Sequence, residues 1–125
     1  MAFGTTKLQG LERDVKAAAE LCLAYADRFG VSVTVVSGKR SRAEQARLYR
    51  NYQQCLASGN FGRTRDCQYP ANRPGESAHE FGLAWDSVVS PELMSWWVAV
   101  RRAYGFHVIE GDLPHAEVPG WRNYV

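Results

Sequence analysis

No stretch of this chain approaches the roughly 20 consecutive apolar residues that a membrane span requires. The first nine residues also lack the basic patch and apolar run of an export signal, so the chain is expected to be made in the cytoplasm. Cysteine is scarce: there are three, none in the Cys-x-x-Cys spacing of a thiolate metal site. Three cannot all pair within one chain. Cys55 and Cys67 flank a loop that a disulfide would close in an oxidising compartment, whereas Cys22 falls on the apolar face of a helix. Histidine is equally scarce at three, which makes the surroundings of each worth reading.

What is present suits one compact unit. A chain of 125 residues with 46% apolar side chains can form a single core, so residues 1–125 are expected to be one domain. The net charge is only +2, yet Lys39, Arg40, Arg42, Arg47, Arg50, Arg63, Arg65 and Arg73 crowd together against Glu44 and Asp66. Such a patch suits an anionic partner, whether nucleic acid or a polymer rich in carboxylates and phosphates; it equally describes a solvated helix face and loop.

Apolar or small residues at steps of three and four, Val15, Ala18, Ala19, Cys22, Ala26 and Phe29, predict a first helix that Gly30 stops. Residues 31–37 alternate as a half-buried strand, with Val31, Val33 and Val35 on one side. Ser41 and Glu44 have capping-box spacing at the start of a second helix that runs to about residue 57. Gly59, Gly62, Pro70, Pro74 and Gly75 make residues 58–76 a long loop, and loops of that length are often functional. Residues 83–89 read as a strand. Ser90 and Pro91 then open a third helix with a stripe of Leu93, Trp96, Trp97, Val100 and Tyr104, and residues 106–109 and 115–118 read as short strands joined by a hairpin. The sum is an α+β domain, a small and mainly antiparallel sheet with flanking helices.

Two histidines stand in unusual company. His79 lies in Ser-Ala-His-Glu-Phe-Gly-Leu-Ala-Trp-Asp, residues 77–86, and His115 ends Asp-Leu-Pro-His, residues 112–115. Two imidazoles and one carboxylate are a donor set that zinc accepts while keeping a fourth position for water. On a helix, His79 and Asp86 would be about 10 Å apart, so a bend is needed, and Gly82 followed by β-favouring residues offers one. Alone, this spacing describes a surface pair as well as a metal site.

The segment resembles the Ser-x-His-x-x-Gly-x-Ala-x-Asp signature of the LAS metallopeptidases, the group of lysostaphin-type enzymes, D-Ala-D-Ala peptidases and the hedgehog signalling domain. Ser77, His79, Gly82, Ala84 and Asp86 match all five specified positions, and Asp112 with His115 matches the downstream Glu/Asp-x-x-His. The resemblance implies one zinc ion held by His79, Asp86 and His115, a hedgehog/D,D-peptidase-like fold, and Asp112 as the catalytic base and acid. Ser37-Gly38-Lys39-Arg40-Ser41 looks like the family's Ser-Gly-x-Arg-Ser, which makes Arg40 a candidate for binding substrate oxygen; Ser77 is a second. Lys39 departs from the aromatic residue common before that arginine.

Aspartate rather than glutamate at position 112 is shared with phage L-alanyl-D-glutamate endopeptidases. The expectation is thus a monomeric, endolysin-like zinc peptidase that cuts a peptidoglycan stem peptide, at the L-Ala-D-Glu bond, after holin-assisted release from the cytoplasm. A D-Ala-D-Ala carboxypeptidase or dipeptidase, or a zinc-stabilised wall-binding module without turnover, stands as the alternative. A nucleic-acid role explains the basic patch but leaves the histidine and aspartate signatures without a purpose. Glu117 is expected to face solvent rather than orient a ligand, His107 to be structural, and Trp85, Trp96 and Trp97 to pack.

Overall fold

The computed structural model describes residues 6–125. Helix α1, Arg13–Arg28, begins where the Glu12 side chain accepts hydrogen bonds from the amides of Asp14 and Val15, and it ends at Phe29 before Gly30 turns left-handed at φ +69°. Its buried face is Val15, Ala19, Cys22, Leu23 and Ala26, close to the expected stripe. Phe29 departs from it: lying beyond the last helical turn, it is 60% exposed and packs on Tyr25 at the surface.

Strand β1, Thr34–Ser37, is shorter than the alternating pattern predicted, because only its second half finds a neighbour to bond. Helix α2, Arg42–Ser58, starts at the expected cap. Ser41 accepts the Glu44 amide, but Glu44 turns its carboxylate to Arg47, so half of the capping box forms. A complete box appears instead at Ser77 and Glu80, over the short 3-10 turn Ala78–Phe81. The loop after α2 is tied back by a disulfide between Cys55 and Cys67, whose Cα atoms are 5.6 Å apart, and by the Asn51 side chain on the Asp66 carbonyl at 2.9 Å.

Strands β2, Ala84–Val88, and β3, His115–Glu117, complete a three-stranded antiparallel sheet ordered β1-β2-β3, with α3, Met94–Ala103, between them in sequence. Of the expected strand at 106–109, only an isolated bridge between His107 and Glu117 forms.

The central strand divides its side chains between two faces by the period of two. Trp85 and Ser87, both 0% exposed, point to the core. There Trp85 meets Trp97 edge to face at 6.2 Å, and the Trp97 indole donates to the Ser87 hydroxyl at 2.8 Å. The α1 stripe, Trp97, Val98 and Val100 of α3, and Phe106 fill the same layer. Asp86 emerges on the other face, opposite Ser37 of β1 and His115 of β3.

Gly82 makes the turn into β2 possible. Its φ of +72° is left-handed, and a Cβ there would stand 3.0 Å from both the Glu12 nitrogen and the Gly10 carbonyl oxygen. Those contacts are backbone, which cannot swing aside. Gly82→Ala is expected to lower stability by about 1–3 kcal/mol, read as a shifted urea midpoint; a midpoint equal to wild type would show the turn to be unstrained.

Candidate metal centre

Three elements each deliver one donor. The turn Ala78–Phe81 brings His79, the middle of β2 brings Asp86, and the first residue of β3 brings His115. His79 Nε2 lies 3.2 Å from Asp86 Oδ1 and 3.1 Å from His115 Nδ1, and the third side, His115 Nδ1 to Asp86 Oδ1, is 3.2 Å. Bonds of the length zinc makes to nitrogen and oxygen, arranged tetrahedrally, separate neighbouring donors by about 3.3 Å. The triangle thus has the size that such an ion needs.

The far side of each ring fixes what the near side presents. His79 Nδ1 is 2.7 Å from the Gly38 carbonyl oxygen, which only accepts, so that nitrogen carries the hydrogen and Nε2 turns a lone pair inward. His115 Nε2 is 2.7 Å from Glu117 Oε1 and donates to it, which turns the Nδ1 lone pair to the same point. Asp86 Oδ2 accepts from Ser37 Oγ at 2.8 Å and from Arg40 Nη2, leaving Oδ1 for the centre. Three lone pairs facing one another repel unless a positive charge sits among them.

Burial alone would raise the Asp86 carboxyl, but its contacts with His115 and His79 and the charge of Arg40 hold it well below the usual carboxylate range. Burial would lower His115, yet its bonds to Asp86 and Glu117 push it up to about 9. A proton on His115 is one way to supply the missing charge; a divalent ion is the other. Glu117 is held below its ordinary value by His115 against the opposing effect of burial.

The expected site residues fall around one cleft of about 360 Å³. His79, Asp86, His115, Asp112, Arg40 and Ser77 all line it. Burial pushes the Asp112 carboxyl up to about 6, partly offset by the charge of His115. Arg40 is less free than a bare substrate-binding group: Nη2 holds Asp86 and Ser37, and Nη1 donates to Gln45 Oε1 at 3.2 Å. Ser77, 3% exposed, uses its hydroxyl oxygen to cap the His79 amide at 3.3 Å. The opposite wall is α2 and the loop behind the disulfide, through Leu48, Asn51, Arg65, Gln68 and Tyr69.

Glu117, expected to face solvent rather than orient a ligand, instead accepts from His115 Nε2 on the side of the strand that residues two apart share. Ser37, as one position of the Ser-Gly-x-Arg-Ser motif, carries no mark of its bond to Asp86, and the Gly38 carbonyl that meets His79, a main-chain atom, leaves no trace in residue types.

Residues 8–108 match the family model described as VanY, D-alanyl-D-alanine carboxypeptidase. No curated protein sequence matches the chain. Among solved structures, the chain is similar to a variant of the vancomycin resistance D,D-pentapeptidase VanY from a VanB-type cassette, in complex with Zn(II), at 19% identity and TM-score 0.66 over 90% of this chain and 74% of that one. An L,D-carboxypeptidase, DacB of Streptococcus pneumoniae, matches at 20% identity and TM-score 0.62 over 93% and 73%. The L-Ala D-Glu endopeptidase ChiX of Serratia marcescens matches at 25% identity and TM-score 0.55 over 94% and 86%. Since the family model covers most of the chain, the chain belongs to the VanY family of D-alanyl-D-alanine carboxypeptidases, peptidoglycan peptidases of the LAS type.

Proposed function

We propose that His79, Asp86 and His115 hold a single zinc ion and that the chain hydrolyses the L-Ala-D-Glu bond of a peptidoglycan stem peptide, with Asp112 as the proton carrier. The observation that carries the metal assignment is the locked pair of imidazoles, whose outer nitrogens donate to Gly38 and Glu117 while their inner lone pairs and one Asp86 oxygen converge. Two nitrogens and one oxygen are also the donor chemistry that zinc accepts with a position left over. When bound, zinc polarises the scissile carbonyl and acidifies water.

The chain's own residues do the rest. Asp112, with a carboxyl raised by burial into the range where it both gains and loses a proton near neutrality, takes a proton from the attacking water and returns it to the departing amine. Arg40 braces Asp86 from the cleft wall and offers its guanidinium edge to a substrate oxygen. Ser77, whose oxygen accepts the His79 amide, keeps its hydroxyl hydrogen for a second substrate oxygen.

Two points support the choice of bond: aspartate at position 112, as in the L-alanyl-D-glutamate endopeptidases that the sequence resembles, and the likeness to ChiX over most of both chains. Cleavage of a D-Ala-D-Ala or D-Ala-terminal bond is the competing outcome, favoured by the family match. Mass spectrometry of the fragments released from purified peptidoglycan decides between them. New termini at L-Ala and D-Glu support the reading; loss of a terminal D-Ala alone overturns it.

Removing metal with a chelator is expected to abolish release of amino groups, and zinc to restore it. Zinc at a hundredfold excess over its Kd is expected to stabilise the fold by about 2.7 kcal/mol, seen as a rise in Tm. Full activity after exhaustive chelation would sink the metal assignment. Asp112→Asn is expected to lower kcat by about 10²–10⁴ while zinc affinity stays within a few-fold of wild type; near wild-type turnover would remove Asp112 from the chemistry.

A further inference from the structure

Behind the cleft lies a buried cation that the chemistry above does not use. Arg101 of α3 is 0% exposed. Its Nε donates to the Trp97 carbonyl at 3.2 Å, Nη1 to the Pro114 carbonyl at 2.9 Å, and Nη2 to the Leu113 carbonyl at 2.6 Å and the Met94 sulfur at 3.8 Å. Its guanidinium carbon stands 5.4 Å from the centre of the Trp97 ring. Among the described residues, no carboxylate pairs with it.

A buried charge without a counter-ion is costly, so its neighbours are informative. Neutral donors would satisfy stray carbonyls at lower cost. The guanidinium differs in being a rigid planar fork whose two ends grip two acceptors in fixed relation. Here the two acceptors are consecutive carbonyls, Leu113 and Pro114, immediately before His115. The Pro114 carbonyl also accepts the Ser87 amide of β2 at 3.0 Å, and the His115 amide closes the turn on the Asp112 carbonyl at 3.0 Å. Every peptide plane between Asp112 and His115 is therefore held, the last two by Arg101.

We infer that Arg101 is a positioning residue: its fork on the Leu113 and Pro114 carbonyls sets where Asp112 and His115 stand against Asp86 and His79. The inference rests on the reading of those residues as metal ligands and proton carrier. Burial pulls the guanidinium down to about 10, partly offset by Cys22 and by the charges of Asp86 and Asp112, so it stays charged at neutral pH. A lysine would retain charge but, as a single-point ammonium, would not grip both carbonyls in one plane.

The test uses the full chain as wild type, Arg101→Lys and Arg101→Met, with Met94→Leu as a control that removes only the thioether contact. Zinc affinity is measured by competition with a chromogenic chelator, and the visible spectrum of the Co(II)-loaded protein reports the geometry around the ion. Both Arg101 variants are expected to bind zinc about tenfold or more weakly and to show an altered Co(II) spectrum, whereas Met94→Leu matches wild type. Folded Arg101 variants with wild-type affinity and spectrum would overturn the inference and leave Arg101 a core residue only.

Should both variants fail to fold, hydrogen exchange in the metal-free wild type decides. The His115 amide is expected to exchange as slowly as those of β2. Exchange at an open-loop rate until zinc is added would overturn the clamp. Wild type that binds neither ion would sink the metal reading instead, and the same exchange measurement would still judge Arg101.

Discussion

The constraint on which the site depends is that Asp86 lies in a strand paired on both sides. Antiparallel bonding of β2 to β1 and β3 sets Ser37, Asp86 and His115 in one row across the sheet, and the bulge in β1 between Val35 and Ser37 brings Ser37 into that row. Ladder register is an all-or-none property, because slipping by one residue turns each side chain to the opposite face. Moving β2 by one position would send Asp86 into the layer of Trp97 and bring Trp85 or Ser87 to the cleft. The apolar packing of Trp85 and the indole bond to Ser87 therefore hold the carboxylate in place without touching it.

His79 reaches the row from outside the sheet. Its turn is anchored at both ends, by the Ser77 and Glu80 capping box and by left-handed Gly82, and its backbone carbonyl accepts the Arg40 amide at 3.0 Å. The same arginine's side chain grips Asp86, so one residue fastens the turn to the sheet and the carboxylate to its orientation. The signature positions thus divide their labour: Gly82 and Ser77 shape the backbone, Ala84 lies within the buried layer at 0% exposed, and His79 and Asp86 present atoms that could hold a metal.

How much of this the sequence discloses follows from where the information is stored. Elements defined by periodic side chains, α1, α2, α3 and the core of β2, lie within a few residues of the pattern that predicts them, since burial of a face and helical or strand period are one constraint. The segment 106–109 has the composition of a strand but forms only the bridge at His107, on Glu117 of the three-residue edge strand β3, a partner whose length composition does not encode. The convergence of His79 and Asp86 was legible only through a motif, as their separation along the chain implies no particular bend. Alternation along β3 puts Glu117 on the side of His115 but does not separate a ligand partner from a solvent-facing residue; the ring orientation that turns His115 Nδ1 to Asp86 and Nε2 to Glu117 decides it.

The cleft brings together walls of unlike origin. One is the sheet with its donor row, fixed by the core. The other is α2, which buries only Gln45 and Cys55 and so contributes little to that core. Its position depends on a few specific ties: buried Gln45 accepts from Arg40 and donates to the Asn72 carbonyl at 2.8 Å, and the disulfide with Asn51 fastens the loop at the far end. A wall held by polar contacts and one cross-link, rather than by a large apolar face, can change its lining residues without disturbing the core beneath the donors. The row of His79, Asp86 and His115 is thus tied to the fold's register, whereas the residues that face it across the cleft stand on a wall that the register does not constrain.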